Sequence, residues 1–218
     1  MTGKLPPTAS VVDALGGGKL HAPAAARNAG MLCAALAQYG PAKGRALEIA
    51  SGTGQHVTAF AGALPGLRWQ PTEIDAARRI SVDAHTAEAG LTNVAPAIAL
   101  DACTAGWGAT HAGQDLIVLV NLLHLVTAPK VRTLIAEVAK ALTPGGAFMV
   151  YGPFKRNGEL TSAGDVRFDA ELRGADPGTG YKDDKDIANW LGKAGLTLHH
   201  RIEMPANNLL FIARKAKP

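Results

Sequence analysis

One stretch of eleven residues constrains this chain more than any other: Arg45-Ala-Leu-Glu-Ile-Ala-Ser-Gly-Thr-Gly-Gln55. It reads as a short apolar strand that ends in a glycine turn and runs straight into a helix. Gly52 and Gly54 have no Cβ, so the backbone turns tightly there and a ligand can approach it closely. The amides that open the following helix have no intrahelical partners and point outward. A parallel α/β sheet takes its ligand at such a place, beyond the carboxyl ends of its strands.

The rest of the chain supplies the sheet that this turn needs. Helical spacing runs from Ala24 to Tyr39 and stops at Gly40-Pro41. A strand over 46–50 leads into the turn, and a helix over 55–63 follows it. A strand over 67–74 carries Trp69 and Glu73, and a helix over 76–89 ends at Gly90. A third strand is expected over 94–100, just before Asp101. The clearest is Asp115-Leu-Ile-Val-Leu-Val-Asn121, apolar on both faces as a central parallel strand must be. A helix over 129–142 starts with a proline in a favoured place, and a strand over 147–151 follows Pro144-Gly145-Gly146. Alternation of this kind predicts a mostly parallel sheet with helices on both faces. Residues 152–183 break the rhythm with Gly, Asp and Arg and little periodicity, which reads as a lid-like insertion. A helix over 184–194 and two strands, 196–203 and 209–214, close the chain. Residues 1–20, with Pro6-Pro7 and Gly16-Gly17-Gly18, read as a flexible tail, and 21–218 as a single domain.

Composition narrows the function classes. The 218 residues suit one domain, and 47% apolar content is enough for its core. The net charge of +4 is scattered rather than clustered, so nucleic acid is not indicated as a partner. Cys33 and Cys103 have neither disulfide-framework nor zinc spacing, so no metal is expected. No apolar run reaches the roughly 20 residues of a membrane span, and no signal stretch opens the chain. A cytoplasmic protein is the expectation, and the sequence carries no signal for an oligomeric state.

Three nucleotide ligands use glycine turns of this sort. A P-loop needs Lys-Ser/Thr after its last glycine, where this chain has Gln55-His56. A dinucleotide turn needs a third glycine, where this chain has Val57. The third ligand is S-adenosylmethionine. An acid about 20 residues past the turn can accept from two ribose hydroxyls, and Glu73 stands there. Asp101 is placed to accept from an adenine amino group, and Asn121 ends its strand at the same crevice. Bland readings stand beside these: Glu73 a solvated strand-end acid, Asp101 a turn residue, Arg27 and Asn28 a solvated helix face. Glu48 resists such a reading, because an acid inside an apolar strand is costly unless paired. Its partners are either turn amides or the cationic amine of a cofactor.

The order of elements resembles the class I S-adenosylmethionine-dependent methyltransferases. More closely, the chain is similar to the methyltransferase-like 26 family. The matching segments include Pro23–Asn28, Leu47–His56, Trp69–Pro71, Asn121–His124, Tyr151–Lys155, Phe168-Asp169 and Met204–Asn208. The resemblance implies a Rossmann-like α/β sheet of seven strands with the last antiparallel. It implies S-adenosylmethionine as cofactor, with Glu48, Gly52 and Gly54 at its methionine part, Glu73 at ribose and Asp101 at adenine. It extends the cofactor site to Arg27, Asn28, Ala50 and Asn121, with Ala50 where many methyltransferases have their first glycine. The chain departs from the family at Val126-Thr127-Ala128, Asp165, Thr179 and Lys182, all on the presumed acceptor side.

Methyl transfer needs alignment of an acceptor lone pair and exclusion of water more than it needs a base. His124 is the candidate base, since a histidine ordinarily titrates near working pH, and Tyr151 borders the same crevice. The bland reading of His124 is a buried ring bonded to backbone. Phe154, Lys155, Phe168, Asn207 and Asn208 are the candidate acceptor-binding residues. The two phenylalanines are either a lid wall or ordinary packing, and the two asparagines either substrate contacts or turn residues. The expected function is methyl transfer to a small molecule. The alternatives are a non-catalytic cofactor-binding or interaction module and a nicotinamide oxidoreductase, the latter weakened by the missing third glycine.

Overall fold

The computed structural model describes residues 6–217. A short 3-10 turn, Pro7–Ser10, precedes an antiparallel hairpin of β1 (Asp13–Gly16) and β2 (Lys19–His21). Most of the expected tail is therefore structured, while Met1–Leu5 lies outside the described residues. Helix α1 (Pro23–Tyr39) leads into β3 (Gly44–Ile49), α2 (Gln55–Ala63), β4 (Leu67–Pro71) and α3 (Ala76–Glu88). Then come α4 (Trp107–Thr110), β5 (Gln114–Val120), a 3-10 turn at Leu123–Leu125, α5 (Ala128–Ala141) and β6 (Leu142–Pro153). Helices α6 (Ala163–Ala175) and α7 (Asp184–Lys193) precede β7 (Leu196–Met204) and β8 (Asn208–Lys215).

The main sheet has the order β4-β3-β5-β6-β8-β7. Pairings β3–β4, β3–β5 and β5–β6 are parallel, and β8 runs antiparallel to both of its neighbours. The antiparallel last strand is as expected, but the sheet has six strands and not seven. The missing one is the strand expected over 94–100. That segment touches β4 and its extension only through single bridges, Trp69–Val94 and Thr72–Ile98. Pro96 has no N–H to give a ladder, and Ala97 N donates to the Asp83 carboxylate at 2.8 Å instead.

The alternation of side chains along β5 shows why the sheet needs cover on both faces. Leu116, Val118 and Val120 pack with Leu32, Val57 and Phe60 of α1 and α2. Ile117 and Leu119 pack with Val131, Leu134 and Leu191 of α5 and α7. Helix α6 sits inside the stretch that showed little periodicity. Its buried side chains are Asp165, Asp169 and Leu172, so two of its three inward positions are acids and no apolar stripe marks it. Among the described residues, no helix is long and apolar enough to cross a membrane.

Candidate functional site

The carboxyl ends of β3, β4, β5 and β6 open on one side of the sheet. The turn after β3 is strained: Ala50 has φ 53°, Gly52 φ 58° and Gly54 φ 91°. At Gly54 a Cβ would meet the Val82 backbone at 2.6 Å, so glycine lets α2 start directly against α3. At Gly52 the nearest atom to a Cβ would be the Ala50 carbonyl oxygen, 4.0 Å away, so the backbone there faces open space. The crest of the turn is thus accessible while its base is packed.

Glu73 ties the turn to the neighbouring strand. Its carboxylate accepts from Gly52 N at 2.9 Å and from Asp75 N at 3.1 Å, and it is buried. Each oxygen keeps a lone pair beyond those amides. Glu48 lies below, 2% exposed, and its Oε2 has no hydrogen-bond partner. Burial pushes its pKa up to about 8; the nearby Ser51 opposes that rise and the Glu73 carboxylate adds to it. The Ser51 hydroxyl is itself buried without a partner of good geometry. A buried carboxyl and a buried hydroxyl, both unpaired at a glycine turn, ask for a polar ligand.

Of the other expected cofactor residues, Asn121 ends β5 with φ 57° and donates its N–H to Tyr151 O at 2.9 Å. Asp101 Oδ1 accepts from its own Cys103 N at 2.9 Å, the turn role weighed for it. Arg27 is exposed. Asn28 is buried, and its Oδ1 accepts from His56 Nε2 at 2.5 Å. Burial holds His56 down to about pKa 4, so the ring is neutral and donates to the amide. Tyr151 is buried beside Asn28, and burial raises its phenol above the ordinary range, opposed by the amide. A phenol raised this way is a hydrogen-bond donor near neutral pH, not a base.

The residues expected on the acceptor side gather around His124. The ring is buried, packs against Phe168 at 5.7 Å and Tyr181 at 6.1 Å between centroids, and forms no side-chain hydrogen bond with the described residues. Burial, reinforced by the Lys182 ammonium, pushes its pKa down to about 3. The premise that it titrates near working pH is therefore corrected. Lys182 is also buried, donating to Val126 O at 2.5 Å and Gly180 O at 2.7 Å. Burial and the Arg173 charge bring it down to about 8, against the pull of Asp169 and Asp176.

Asp165 holds this side together. Its carboxylate accepts from Thr161 (2.7 Å), Ser162 (2.8 Å), Asn207 (3.0 Å) and Tyr181 (3.1 Å). Burial raises its pKa, and those four donors more than reverse the rise. Asn207 thus anchors α6 to the β7–β8 hairpin. Asn208 bonds to Pro205 O and Ala206 O, the turn role. Phe154 is 2% exposed and packs edge-on against Phe211, the packing role weighed for it beside that of a lid wall. Lys155 is half-buried, its backbone paired with Lys182 O at 2.9 Å.

Sequence reading did not assign Ser51, Gln55, His56, Asp165, Tyr181 and Lys182 to the crevice, where the structure brings them together. His56 sat inside a quoted motif, and Asp165 and Lys182 were noted only as departures from a family pattern. Gln55 carried a local signal, since a side-chain amide at a helix start can serve the turn. Its Oε1 accepts from Thr53 Oγ1 at 2.8 Å and Ala22 N at 2.6 Å.

The fold has counterparts among solved structures. Over about 88% of its length the fold is similar to an O-methyltransferase family protein from Burkholderia thailandensis, with 18% identity, TM-score 0.76 and 57% of that chain covered. It is similar to mitomycin 7-O-methyltransferase, with 20% identity, TM-score 0.73, and 88% of this chain and 54% of that one covered. Human N-acetylserotonin methyltransferase, solved in complex with S-adenosylmethionine, matches at 14% identity and TM-score 0.71, over 87% of this chain and 52% of that one. The chain thus spans little more than half the length of these structures, and the likeness is one of fold. The model of a family described as a protein of unknown function, DUF938, matches residues 19–215. With that match running almost end to end, the chain belongs to the DUF938 family.

Proposed function

We propose that this protein is an S-adenosylmethionine-dependent methyltransferase acting on a small-molecule acceptor. The observation that carries the reading is the unpaired, buried Glu48 carboxyl beneath an open glycine turn whose Gly52 amide is held by Glu73. The residues fit the cofactor. Glu48, with Ser51 beside it, offers acceptors to the ammonium of the methionine part. The free lone pairs of Glu73 suit vicinal ribose hydroxyls, and the open space above Gly52 leaves room for a ligand on the backbone. Asp101 and Asn121 complete the crevice toward adenine and the sulfonium. Likeness in fold to methyltransferases supports the reading, as does the sequence resemblance to the methyltransferase-like 26 family, the narrower kinship that we propose.

When bound, the cofactor supplies a methyl already activated on sulfur. What remains for the chain is to orient and to exclude water. Residues 152–183 would act as the lid of a single domain, with α6 closing over the acceptor. Phe168 and Tyr181 would wall the pocket, and the neutral His124 would serve as a hydrogen-bonding group for the acceptor. A ring with pKa about 3 takes little of a proton at neutral pH, so His124 is not the group that would remove a proton from an acceptor. The same fact favours the second reading, a cofactor-binding module without turnover. A cytoplasmic location fits the two unpaired cysteines.

Calorimetric titration with S-adenosylmethionine, its demethylated product and NAD tests the reading. Binding of the first two and not of NAD is expected. No binding of either below millimolar concentration would sink it. Turnover in an acceptor screen then separates the enzyme from the module.

A further inference from the structure

The segment from Pro7 to His21 is long, yet it buries little. Thr8, Ser10 and all of β1 are exposed, with Val11 at 58% and Leu15 at 54% exposure. What holds it is polar. Thr8 Oγ1 donates to Glu171 of α6 at 2.6 Å. Two residues on, Ser10 Oγ accepts from Arg78 of α3, also at 2.6 Å. Both residues lie in the 3-10 turn, where two residues advance roughly 4 Å, so one short piece of chain bonds to both helices. Helix α3 begins beside Glu73 at the end of β4, while α6 stands over the ends of β5 and β6. Between those strands lies β3 with its glycine turn. The two bonds therefore tie the flanks of the crevice together across that turn.

The other end of the segment is joined to the turn itself. Leu20 N donates to Ser81 Oγ at 2.8 Å, and that hydroxyl donates to Thr53 O at 2.8 Å. Ala22 N and the Thr53 hydroxyl share Gln55 Oε1. Lys19 pairs with Glu88, and His85 meets Leu20 O at 2.9 Å. Gly16, Gly17 and Gly18, all at positive φ, turn β1 back onto β2, so the ladder with β2 holds β1 firmly and the lightly held part is the stretch before Asp13.

We propose that Pro7–His21 is a strap that closes the crevice, with Thr8–Glu171 and Ser10–Arg78 as its latch. The β1–β2 hairpin stays pinned to the glycine turn, and ligand enters and leaves when the latch end before Asp13 swings out. Among the described residues before β1, two exposed side-chain hydrogen bonds hold that end and Val12 is no more than half-buried, so opening is a low-cost local event. The proposal rests on the cofactor reading only for the identity of what the strap encloses.

The test reads access to the crevice in the ligand-free full chain. Ser51→Cys places a reporter thiol at the turn, and its alkylation by iodoacetamide is followed peptide by peptide by mass spectrometry. Native Cys33, on α1, serves as the internal reference for general loosening. Adding Thr8→Ala and Ser10→Ala should raise the rate at position 51 about tenfold while leaving Cys33 unchanged. Glu171→Ala, which changes one exposed side chain on α6, should raise it about threefold. Unchanged rates at position 51 would overturn the strap. Should the double variant also speed Cys33, the decision falls to Glu171→Ala, where an unchanged rate again refutes the proposal. Titration of the unsubstituted chain with S-adenosylmethionine reports separately: faster labelling without cofactor binding leaves the strap standing and removes the cofactor reading.

Discussion

The two sides of the crevice are built differently. The β3–β4 side is made of backbone: a turn in left-handed conformations, amides facing outward, and one carboxylate that gathers two of them. The β5–β6 side is made of side chains brought from far apart in sequence. His124, Asp165, Tyr181 and Asn207 come from four separate segments and meet only in the fold. A backbone site asks only for small residues and strand register, so it persists through changes of side chain. A side-chain site can be altered one residue at a time, and Lys182 and Asp165 sit where this chain departs from the family it resembles. One half of the crevice is suited to a constant ligand, the other to a ligand that varies.

The largest expected effect tests the first half. Glu73→Ala removes the acceptor for Gly52 N and, on the proposed reading, the lone pairs that would meet ribose. Hydrogen bonds to a charged group contribute about 1.5–3 kcal/mol each. Affinity for S-adenosylmethionine should fall roughly 100-fold by calorimetry. A change below threefold would mean that the turn holds its ligand without this acid, and the contrast between the halves would lose its chief support.

Asp165→Ala is the matching cut on the other half. It leaves the donors of Thr161, Ser162, Tyr181 and Asn207 without their common acceptor. An unsatisfied buried group costs about 1–3 kcal/mol, and several of these can turn to water. The melting temperature should drop by about 5 °C. Hydrogen exchange should speed in α6 and the β7–β8 turn, with cofactor affinity within about twofold. Equal loss of cofactor binding would show the two halves to be one cooperative unit.

How much of this was legible follows the same division. The β3 strand, the turn after it and Glu73 are neighbours in pattern, and glycine spacing with strand register reveals them. The edge segment over 94–100 was misread because apolar content predicts a strand while Pro96 and the Asp83 bond to Ala97 take away its ladder. Helix α6 was missed because it turns Asp165 and Asp169 inward, and those acids are satisfied in part by residues well beyond the helix, Tyr181 and Asn207. Burial also changed chemistry that residue type alone suggested: His124 has a histidine's ring but not a histidine's usual pKa.

Glu48 gives a prediction of intermediate size with a definite sign. Its carboxyl titrates near 4.5 when unfolded and near 8 when folded. Between those values the folded chain holds a proton that the unfolded chain has lost. The contribution to stability is complete below about pH 4.5 and is lost as pH rises through 8. Glu48→Gln should flatten that fall in thermal melts between pH 5 and 8. A cationic ligand that ionises Glu48 must also expel its proton. Calorimetry at pH 7 in buffers of different ionisation enthalpy should show close to one proton released in the native chain and none in Glu48→Gln. No release in the native chain would mean that the ammonium partner of the cofactor lies elsewhere.

The smallest effect lies at Ala50, which holds φ 53° without being glycine. A left-handed L-residue costs about 1–2 kcal/mol. Glycine would relieve that, but the unfolded chain would gain about 0.5–1 kcal/mol of freedom, and the methyl packed near the α5 face would be lost. Ala50→Gly should therefore raise the melting temperature by about 2 °C or less and leave cofactor affinity within twofold. The counterpart on the other half is Gly180, at φ 93°, where a Cβ would meet Asp169 Oδ1 at 2.5 Å and Arg173 Nε at 2.8 Å. Gly180→Ala should loosen the Asp169–Arg173 pair and the segment against His124, so it should lower the melting temperature. If Ala50→Gly instead destabilises as much as Gly180→Ala, the turn depends on packing as heavily as the acceptor side does. The difference between the halves would then be one of degree.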